Sequence, residues 1–263
     1  MRKLITISSD HEGLKPWLEN IADNFNNGGE LIYDARNQIK VFRKADLPLY
    51  SHSTDINVKR YHAPRYFNSL VYSYGLREPK GCRAYKYAKV LLDKGISTHI
   101  PIAYIEERNA LSILGYSYLI TEQINYDMRM YEVGDAKPGT YEALAEQLAA
   151  FAADMHEKEV LHLDFSPGNI LVNIKDKDTQ NPTYTFSIID INRIRFGNVT
   201  LEDAAKNFAR LWGPKRFMQI LIRQYCNIRN FDDYRAEELL MLERKKFWQR
   251  YLRKHKLEFN LEL

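Results

Sequence analysis

Two short runs of β-branched and aliphatic residues in the second half of the chain constrain its fold most, because polar residues stand at matching ends of the two runs. The runs cover residues 170–174 and 184–189 and are separated by a polar stretch, which predicts the two strands of a hairpin. Asn169 comes directly before the first strand and Asp190 directly after the second. Antiparallel pairing therefore brings Asn169 and Asp190 to the same open end.

Asp164 lies in the turn-rich stretch just before Asn169 and adds a third oxygen-bearing side chain to this end of the hairpin. One carboxylate and one amide oxygen suit a hard cation such as Mg²⁺, which proteins hold through one or two carboxylates together with substrate phosphates. The third group is then available to act on a substrate hydroxyl. The competing interpretation is that Asp164 is an ordinary turn residue and that Asn169 and Asp190 only end strands.

The first 120 or so residues read as a sheet that carries one helix. The helix is predicted over residues 81–94, where apolar residues have helical spacing, and Gly95 follows as a C-cap. Strands are predicted over 31–33, 38–42, 55–61, 100–105 and 116–120, with polar turns at 34–37 and 106–109.

The rest of the chain is richer in helix. An alanine-rich segment over 141–158 places Leu144, Leu148 and Met155 on one face, and everything from Leu201 onward reads as helical to the end. The order predicts an α+β chain with a strand-rich first part and a helical second part.

Composition excludes several classes of protein. Of 263 residues, 45% are hydrophobic and 27% charged, which is ordinary for a globular protein and not for a disordered or collagen-like one. The net charge of +4 is too small to indicate nucleic-acid binding. Cys82 and Cys226 have no metal-ligand spacing, and no apolar run approaches the roughly 18 residues of a membrane helix. We therefore expect a cytoplasmic protein, with peripheral contact at the inner membrane face left open.

The segment His162-Leu163-Asp164-Phe165-Ser166-Pro167-Gly168-Asn169 resembles the catalytic loop H-x-D-x-x-x-x-N of the protein-kinase-like superfamily. Asp190-Ile191-Asn192 stands where that superfamily has its metal-binding D-F-G. Within the superfamily the chain is similar to the bacterial lipopolysaccharide kinase (Kdo/heptose kinase, InaA-like) family. The likeness covers roughly residues 30–195, and its segments lie at 58–61, 83–96, 101–105, 162–171 and 189–193.

This resemblance implies a two-lobed protein-kinase-like fold with a nucleotide-binding lobe over 1–124, a catalytic helical lobe over 125–263, and ATP and Mg²⁺ as ligands. It implies that Asp164 is the base and that Asn169 and Asp190 bind the metal. Lys59 is the expected contact to the ATP phosphates, with Lys40 as its rival. The expected nucleotide contacts, besides Lys59, are Arg36 and Asn37 in the first hairpin, which lacks G-x-G-x-x-G, and Glu122 and Ile124 in the segment between the lobes.

Departures from protein kinases indicate the acceptor. There is no A-P-E motif, and Ser166 stands where Ser/Thr kinases have Lys, which favours a sugar or glycolipid acceptor of the lipopolysaccharide core or lipid A region over a polypeptide. The predicted helix over 81–94 lacks the Glu that pairs with the phosphate-binding Lys; Glu78 lies just ahead of it, and Arg83 is its most distinctive polar residue. Two alternatives follow, a protein kinase and a non-catalytic kinase-like module that binds nucleotide or a partner.

Two further features, a basic helix near the end of the chain and a pair of arginines, are open at the level of sequence, and two histidines are assigned structural roles. Residues 244–256 form a basic amphipathic helix, which either packs on the second lobe with its basic side in solvent, or lies on an anionic membrane surface, or, as the last choice, binds nucleic acid. Arg193 and Arg195 either meet an anionic acceptor or pair with nearby acids. His156, at a helix end, and His162 are assigned structural roles; a charged His156 would interact with the helix dipole.

Overall fold

The computed structural model describes residues 2–47, 54–64, 66–177, 179, 182–231, 233–257 and 261–263. The chain divides into two compact units, Met1–Asn125 and Tyr126–Leu263. The sequence prediction placed the boundary between residues 124 and 125.

The first unit is built on a six-stranded antiparallel sheet of order β1-β5-β6-β4-β3-β2. Its strands are β1 (Arg2–Ile7), β2 (Glu30–Asp34), β3 (Asn37–Phe42), β4 (Ile56–Tyr61), β5 (Pro101–Arg108) and β6 (Leu114–Glu122). The predicted hairpin at 31–42 and the strand that follows it are confirmed.

The strand β5 is longer than predicted. Residues 106–108, predicted to be a turn, continue the strand because they pair with residues 2–4 of β1, with Lys3 opposite Glu107. The actual turn lies at 109–113, where the side-chain oxygen of Asn109 accepts hydrogen bonds from the N–H groups of Leu111 and Ile113. The sequence did not predict β1. Without this partner strand, the polar residues Glu106, Glu107 and Arg108 have the composition of a turn.

The described part of the first unit contains four α-helices where one was predicted. They are α1 (Lys15–Glu19), α2 (Ile21–Asn27), α3 (Phe67–Ser73) and α4 (Lys80–Asp93). Leu14, Leu18, Ile21 and Phe25 recur every three or four residues and are buried together with apolar residues of the sheet. This periodicity was present in the sequence, but Asn20 interrupts it and leaves two helices too short for a clear pattern.

The helix α4 agrees with its prediction and ends in a Schellman motif. Gly95 has φ +70°, its N–H donates to the Leu92 carbonyl, and the N–H of Ile96 donates to the Leu91 carbonyl over 2.8 Å. At its other end Gly81 lets the helix approach the sheet closely, since a Cβ there would lie 2.7 Å from the ring of Tyr104 and 2.9 Å from that of Tyr61.

The second unit combines helices with short strands. Its helices are α5 (Glu142–Glu157), α6 (Leu201–Phe208), α7 (Lys215–Ile228) and α8 (Asp233–Leu252), and its strands are β7 (Met128–Arg129), β8 (Val160–His162), β9 (Ile170–Lys175), β10 (Thr183–Ile188) and β11 (Ile194–Phe196). The strands form a three-stranded sheet, β10-β9-β7, and a two-stranded sheet, β11-β8. The predicted loop between β9 and β10 includes residues 178, 180 and 181, which lie outside the described residues.

The predicted helix over 141–158 is confirmed as α5, whose alanines at 145, 149, 152 and 153 are fully buried. The prediction of continuous helix from Leu201 to the end is wrong. The helices are interrupted by Gly213-Pro214 and by Asn230, which has φ +51°, and α8 ends at Leu252. Within the described residues, no helix has the length and apolar character needed to span a membrane.

Candidate active site

The β9–β10 hairpin has the register that the sequence predicts. Ile170 is paired with Ile188, and one step further out the N–H of Ile189 donates to the carbonyl of Asn169 over 3.0 Å. Asn169 and Asp190 therefore flank the same end of the hairpin.

His162 joins the loop that precedes the hairpin to the end of β10. Its ring is buried; Nδ1 accepts the N–H of Asp164 at 3.1 Å, and Nε2 lies 3.0 Å from the carbonyl of Ile189. Because Nδ1 accepts, the proton of the neutral ring belongs on Nε2, where it donates to Ile189. Burial lowers the pKa of His162, which favours this neutral form. The imidazole thus holds the loop in place, in the structural role assigned from the sequence.

The two predicted metal ligands have their amide and carboxylate groups fixed by short-range contacts. Asn169 donates its Nδ2 to the backbone carbonyl of Asp164 at 3.0 Å, which turns its Oδ1 away from that carbonyl. Asp190 has φ +55°, in the left-handed region, and its Oδ1 accepts from Nδ2 of Asn192 at 3.0 Å. Aspartate is among the few non-glycine residues that adopt this conformation readily.

This donor set fits Mg²⁺. One carboxylate and one amide oxygen at the end of a hairpin are the hard oxygen ligands that Mg²⁺ takes from protein, the remainder of its shell coming from phosphates and water. Among the described residues there is no cluster of three or more His, Cys, Asp or Glu side chains that could hold a metal ion without such partners.

Asp164 lies between two arginines. Its Oδ2 contacts Nη2 of Arg193, and its Oδ1 contacts Nη1 of Arg210 at 3.1 Å. The Asp164 side chain is only 17% exposed, whereas those of Arg193 and Arg210 are 48% and 37% exposed. The sequence did not single out Arg210, because it is 46 residues from Asp164 and follows a helix with no motif around it.

Arg195 has a different partner, although the sequence placed it beside Arg193. It pairs with Asp203, whose carboxylate also accepts from the N–H of Thr200 in the capping box of α6. Of the two alternatives for these arginines, pairing with a nearby acid therefore describes both, Arg193 with Asp164 and Arg195 with Asp203.

In the first unit, the two rival lysines lie on opposite faces of the sheet. Lys40 is opposite Val58, and its Nζ donates to the carbonyls of Phe25 and Gly28 at the end of α2, at 2.7 and 2.8 Å. Lys59 is opposite Leu119, and Leu119 is opposite Tyr104, whose ring meets α4 at Gly81. Lys59 thus belongs to the α4 face, and Lys40 is committed to capping α2.

The other predicted nucleotide residues of the first unit are spread along its edges and strand ends. Arg36 is exposed in the β2–β3 turn, and Asn37 begins β3, where its carbonyl accepts the N–H of Ala35. The N–H of Ala35 is therefore already used within the turn. Glu122 ends β6 with its Oε1 3.5 Å from Nε2 of buried His11, and half-buried Ile124 follows.

No glutamate of α4 is available as a partner for Lys59. The only acidic residue of α4 is Asp93, at its last position, and Glu78 pairs with Lys86 on the exposed side. A buried carboxylate does occur on the α4 face of the sheet, that of Glu106, but it accepts from the hydroxyl of Tyr104 and pairs with Arg108.

Comparison with solved structures defines the class of the fold. The chain is similar to WaaP in complex with acyl carrier protein, with a TM-score of 0.59 and 18% identity over 95% of this chain and 100% of that one. It is also similar to the Rio2 kinase from Chaetomium thermophilum in its ADP/Mg²⁺-phosphoaspartate complex, with a TM-score of 0.50 and 13% identity over 92% of this chain and 77% of that one. The fold is therefore protein-kinase-like, as the sequence predicted.

The family follows from the sequence itself. The model of the Lipopolysaccharide kinase (Kdo/WaaP) family matches residues 42–231, and the chain belongs to this family. No curated protein matches the chain by sequence. Family membership makes the chain a phosphotransferase of the kinase type and confirms the resemblance drawn from the loop and hairpin motifs.

Proposed function

We propose that the protein transfers the γ-phosphoryl group of ATP to a sugar hydroxyl in the core or lipid A region of lipopolysaccharide. The observation that supports this most is the convergence of Asp164, Asn169 and Asp190 at one end of the β9–β10 hairpin, in a member of a lipopolysaccharide kinase family.

Four residues of the second unit have a defined task in this proposal. The carboxylate of Asp164 orients the acceptor hydroxyl and accepts its proton as the new bond to phosphorus forms and the bond to the leaving ADP oxygen breaks. His162 and Asn169 position Asp164 through its backbone N–H and carbonyl. Asn169 and Asp190 would hold Mg²⁺, which supplies positive charge for the phosphate oxygens when it is bound.

The first unit supplies the nucleotide contacts in this proposal. Lys59 pairs with the α/β-phosphates, Arg36 and Asn37 cover the phosphates, and Glu122 and Ile124 contact the adenine. Lys59 is preferred to Lys40 because it lies on the α4 face of the sheet, whereas Lys40 lies on the opposite face and contacts the end of α2.

The test is transfer of label from γ-labelled ATP to purified core glycolipid by the full chain with Mg²⁺. We expect label in the glycolipid, and Asp164→Asn lowers the rate by about 10²- to 10⁴-fold, the usual contribution of a positioned base. Asp154→Asn is the matched control, since Asp154 is exposed and pairs with Lys158 on the surface of α5. Label in polypeptide alone would show a protein kinase instead.

A non-catalytic nucleotide-binding module is the second candidate, and the absence of a Glu in α4 favours it. In that case Mg²⁺ and ATP raise the melting temperature while neither labelled glycolipid nor free phosphate is formed. Transfer of label from ATP to glycolipid by the wild-type chain excludes this candidate.

We further propose that the protein acts in the cytoplasm at the inner membrane face and uses the end of α8 to reach an anionic lipid surface. Lys245, Lys246, Arg250 and Lys254 are exposed there, and so are the apolar side chains of Tyr251 and Leu252. Arg244 is not part of this basic surface, because it is buried with Nη1 donating to the Glu262 carbonyl and Nη2 donating to the Gly213 carbonyl.

Neutralising Lys245, Lys246, Arg250 and Lys254 to Gln should weaken binding to phosphatidylglycerol vesicles by about 100-fold or more, since each cation contributes about 1 kcal/mol near such a surface. The measurement is vesicle cosedimentation, with phosphatidylcholine vesicles in parallel. Replacing four exposed lysines elsewhere, at 15, 44, 89 and 137, is the control and should have a much smaller effect. Equal losses in the two variants would show a nonspecific charge effect.

A further inference from the structure

Two guanidinium groups converge on the single carboxylate of Asp164. Each of them uses one nitrogen for that contact, Nη2 in Arg193 and Nη1 in Arg210. A guanidinium carries five N–H donors, so the contacts to Asp164 leave donors on both arginines. The cluster of Asp164, Arg193 and Arg210 therefore carries a net positive charge and has capacity for a second anion.

Both arginines are positioned by contacts that do not involve Asp164. The carbonyl of Arg193 accepts the N–H of Leu163 at 2.8 Å, which ties this residue to the loop beside Asp164. The guanidinium of Arg210 lies over the ring of Phe247 in α8, 5.5 Å from its centroid. Flat contact with an aromatic ring suits a guanidinium while its edge still binds an anion. The two groups are thus held facing the same carboxylate from different elements.

The two arginine contacts of Asp164 restrict which acceptors can approach its carboxylate. Each carboxylate oxygen already accepts from an arginine, so an incoming hydroxyl must share or displace one of these contacts. A neutral acceptor would leave a displaced guanidinium with water in place of its charged partner, so a charge-assisted hydrogen bond would be lost. An acceptor that carries its own anion next to the reacting hydroxyl provides that partner, and arginine pairs well with both phosphate and carboxylate.

We infer that Arg193 and Arg210 are specificity-determining residues that bind a phosphate or carboxylate group of the acceptor beside the hydroxyl that Asp164 orients. The inference rests on the proposed function and adds to it the chemical class of the acceptor, an anionic sugar. It also gives Arg193 the role that the sequence left open, and it separates Arg193 from Arg195, whose partner is the α6 cap.

The first experiment measures binding without turnover. Deacylated lipopolysaccharide core oligosaccharide is titrated calorimetrically into the full chain in the absence of nucleotide, in three forms: untreated, stripped of phosphate by hydrofluoric acid, and reduced at its carboxylates. We expect Arg193→Gln and Arg210→Gln each to weaken binding of the untreated form about tenfold or more, as for loss of a charge-assisted pair. Arg195→Gln is the matched control and should bind as the wild type does.

The chemically treated forms identify the anion. The form that lacks the recognised group should bind the wild type at least as weakly as either single variant binds the untreated form. On that form the variants and the wild type should bind equally. Unchanged binding of the untreated form by both variants, equal losses in Arg195→Gln, or no binding of any form by the wild type would overturn the inference.

A second experiment separates this inference from the proposed function. In assays of label transfer from γ-labelled ATP to the same oligosaccharides, Arg193→Gln and Arg210→Gln should raise the acceptor KM or lower kcat/KM for the acceptor. The nucleotide KM should stay within about twofold of the wild-type value, because neither arginine is assigned to the nucleotide. Transfer that is insensitive to both variants would support the function and refute the inference. Variant-sensitive binding with no transfer by the wild type would refute the function and support the inference.

Discussion

The backbone of Asp190 adopts a conformation that few side chains tolerate, and this makes a controlled test of its predicted metal role possible. Asp176, in the turn after β9, has nearly the same φ, +54° against +55°. Alanine at either position pays a similar backbone cost, whereas only Asp190 lies at the end of the hairpin that also holds Asn169.

At the scale of single residues we therefore expect Asp190→Ala to abolish the stabilisation of the protein by Mg²⁺ with ATP. At about 100 times Kd a ligand adds about 2.7 kcal/mol, or roughly 5 °C or more in melting temperature for a chain of this size. Thermal melting with and without Mg²⁺ measures this shift. Asp176→Ala should keep it, and a full Mg²⁺-dependent shift in Asp190→Ala would show that the metal assignment is wrong.

The sequence could place Asp164, Asn169 and Asp190 near one another because all three belong to one loop and one hairpin, where spacing fixes geometry. It missed Arg210 and His11 for the opposite reason. The contact of Arg210 with Asp164 spans 46 residues, and His11 meets Glu122 only because the N-terminal segment folds back onto the sheet. Pairings of this kind leave no local pattern, since they depend on which elements become neighbours.

At the scale of elements, the contact between α4 and the sheet depends on a missing side chain. Gly81→Ala would place a methyl group 2.7 Å from the ring of Tyr104 and 2.9 Å from that of Tyr61, and both rings are buried. Overpacking costs about 1–3 kcal/mol, and a Cβ within 3 Å of two buried rings belongs to the upper part of that range, above the gain of about 1 kcal/mol from the higher helix propensity of alanine.

We expect Gly81→Ala to lower the free energy of unfolding by about 1 kcal/mol or more in urea titrations. Gly168→Ala is the control for stability, because a Cβ at Gly168 meets nothing within 4 Å. A Gly81→Ala protein as stable as the wild type would mean that α4 shifts on the sheet at little cost.

Elements that carry a local pattern of their own were predictable, and elements that depend on a distant partner were not. The alanine-rich α5 and the capped α4 carry their own periodicity and end signals. β1, β8 and β11 have six, three and three residues, and each becomes a strand only through a partner from another part of the chain. Tertiary pairing, which a local pattern does not encode, decides such segments.

At the scale of the whole molecule, pH should act on stability through the core of the second unit. His156 is buried, with its Nδ1 2.9 Å from the hydroxyl of Tyr225 and its ring stacked on Phe208. Burial lowers its pKa to about 3, so it is neutral in the folded protein, which fits the structural role that the sequence assigns to it.

The unfolded chain binds a proton at this histidine below a pH of about 6.5, whereas the folded chain does so only near its lowered pKa. The stability that His156 contributes is therefore complete above about pH 6.5, the pKa of histidine in the unfolded chain. It is lost as the pH falls towards the folded pKa of about 3, by at most about 1.4 kcal/mol per pH unit. His162, whose pKa is also lowered by burial, acts in the same direction.

Urea unfolding at a series of pH values from about 7.5 to 5 tests this, with Trp17→Phe as the background so that Trp212 and Trp248 report on the second unit. His156→Phe should be less stable at neutral pH, because the bond to Tyr225 is lost, but its stability should fall less steeply as the pH decreases. Parallel pH dependences would show that His156 is not among the groups that titrate on unfolding.

The order of strands in the first unit determines when its sheet can be completed during synthesis. Both edges, β1 and the β2–β3 hairpin, come from residues up to 42, while the central strands β4, β6 and β5 come from residues 56–122. The edge strands therefore leave the ribosome before the central strands have been synthesised. The hairpin can close on its own, but β1 has no partner until residue 108 has emerged, so its six residues must wait unpaired through the translation of about 100 more. Arg2 and Lys3 at the start of β1 suit that interval, because charges on an unpaired strand discourage pairing with other nascent chains.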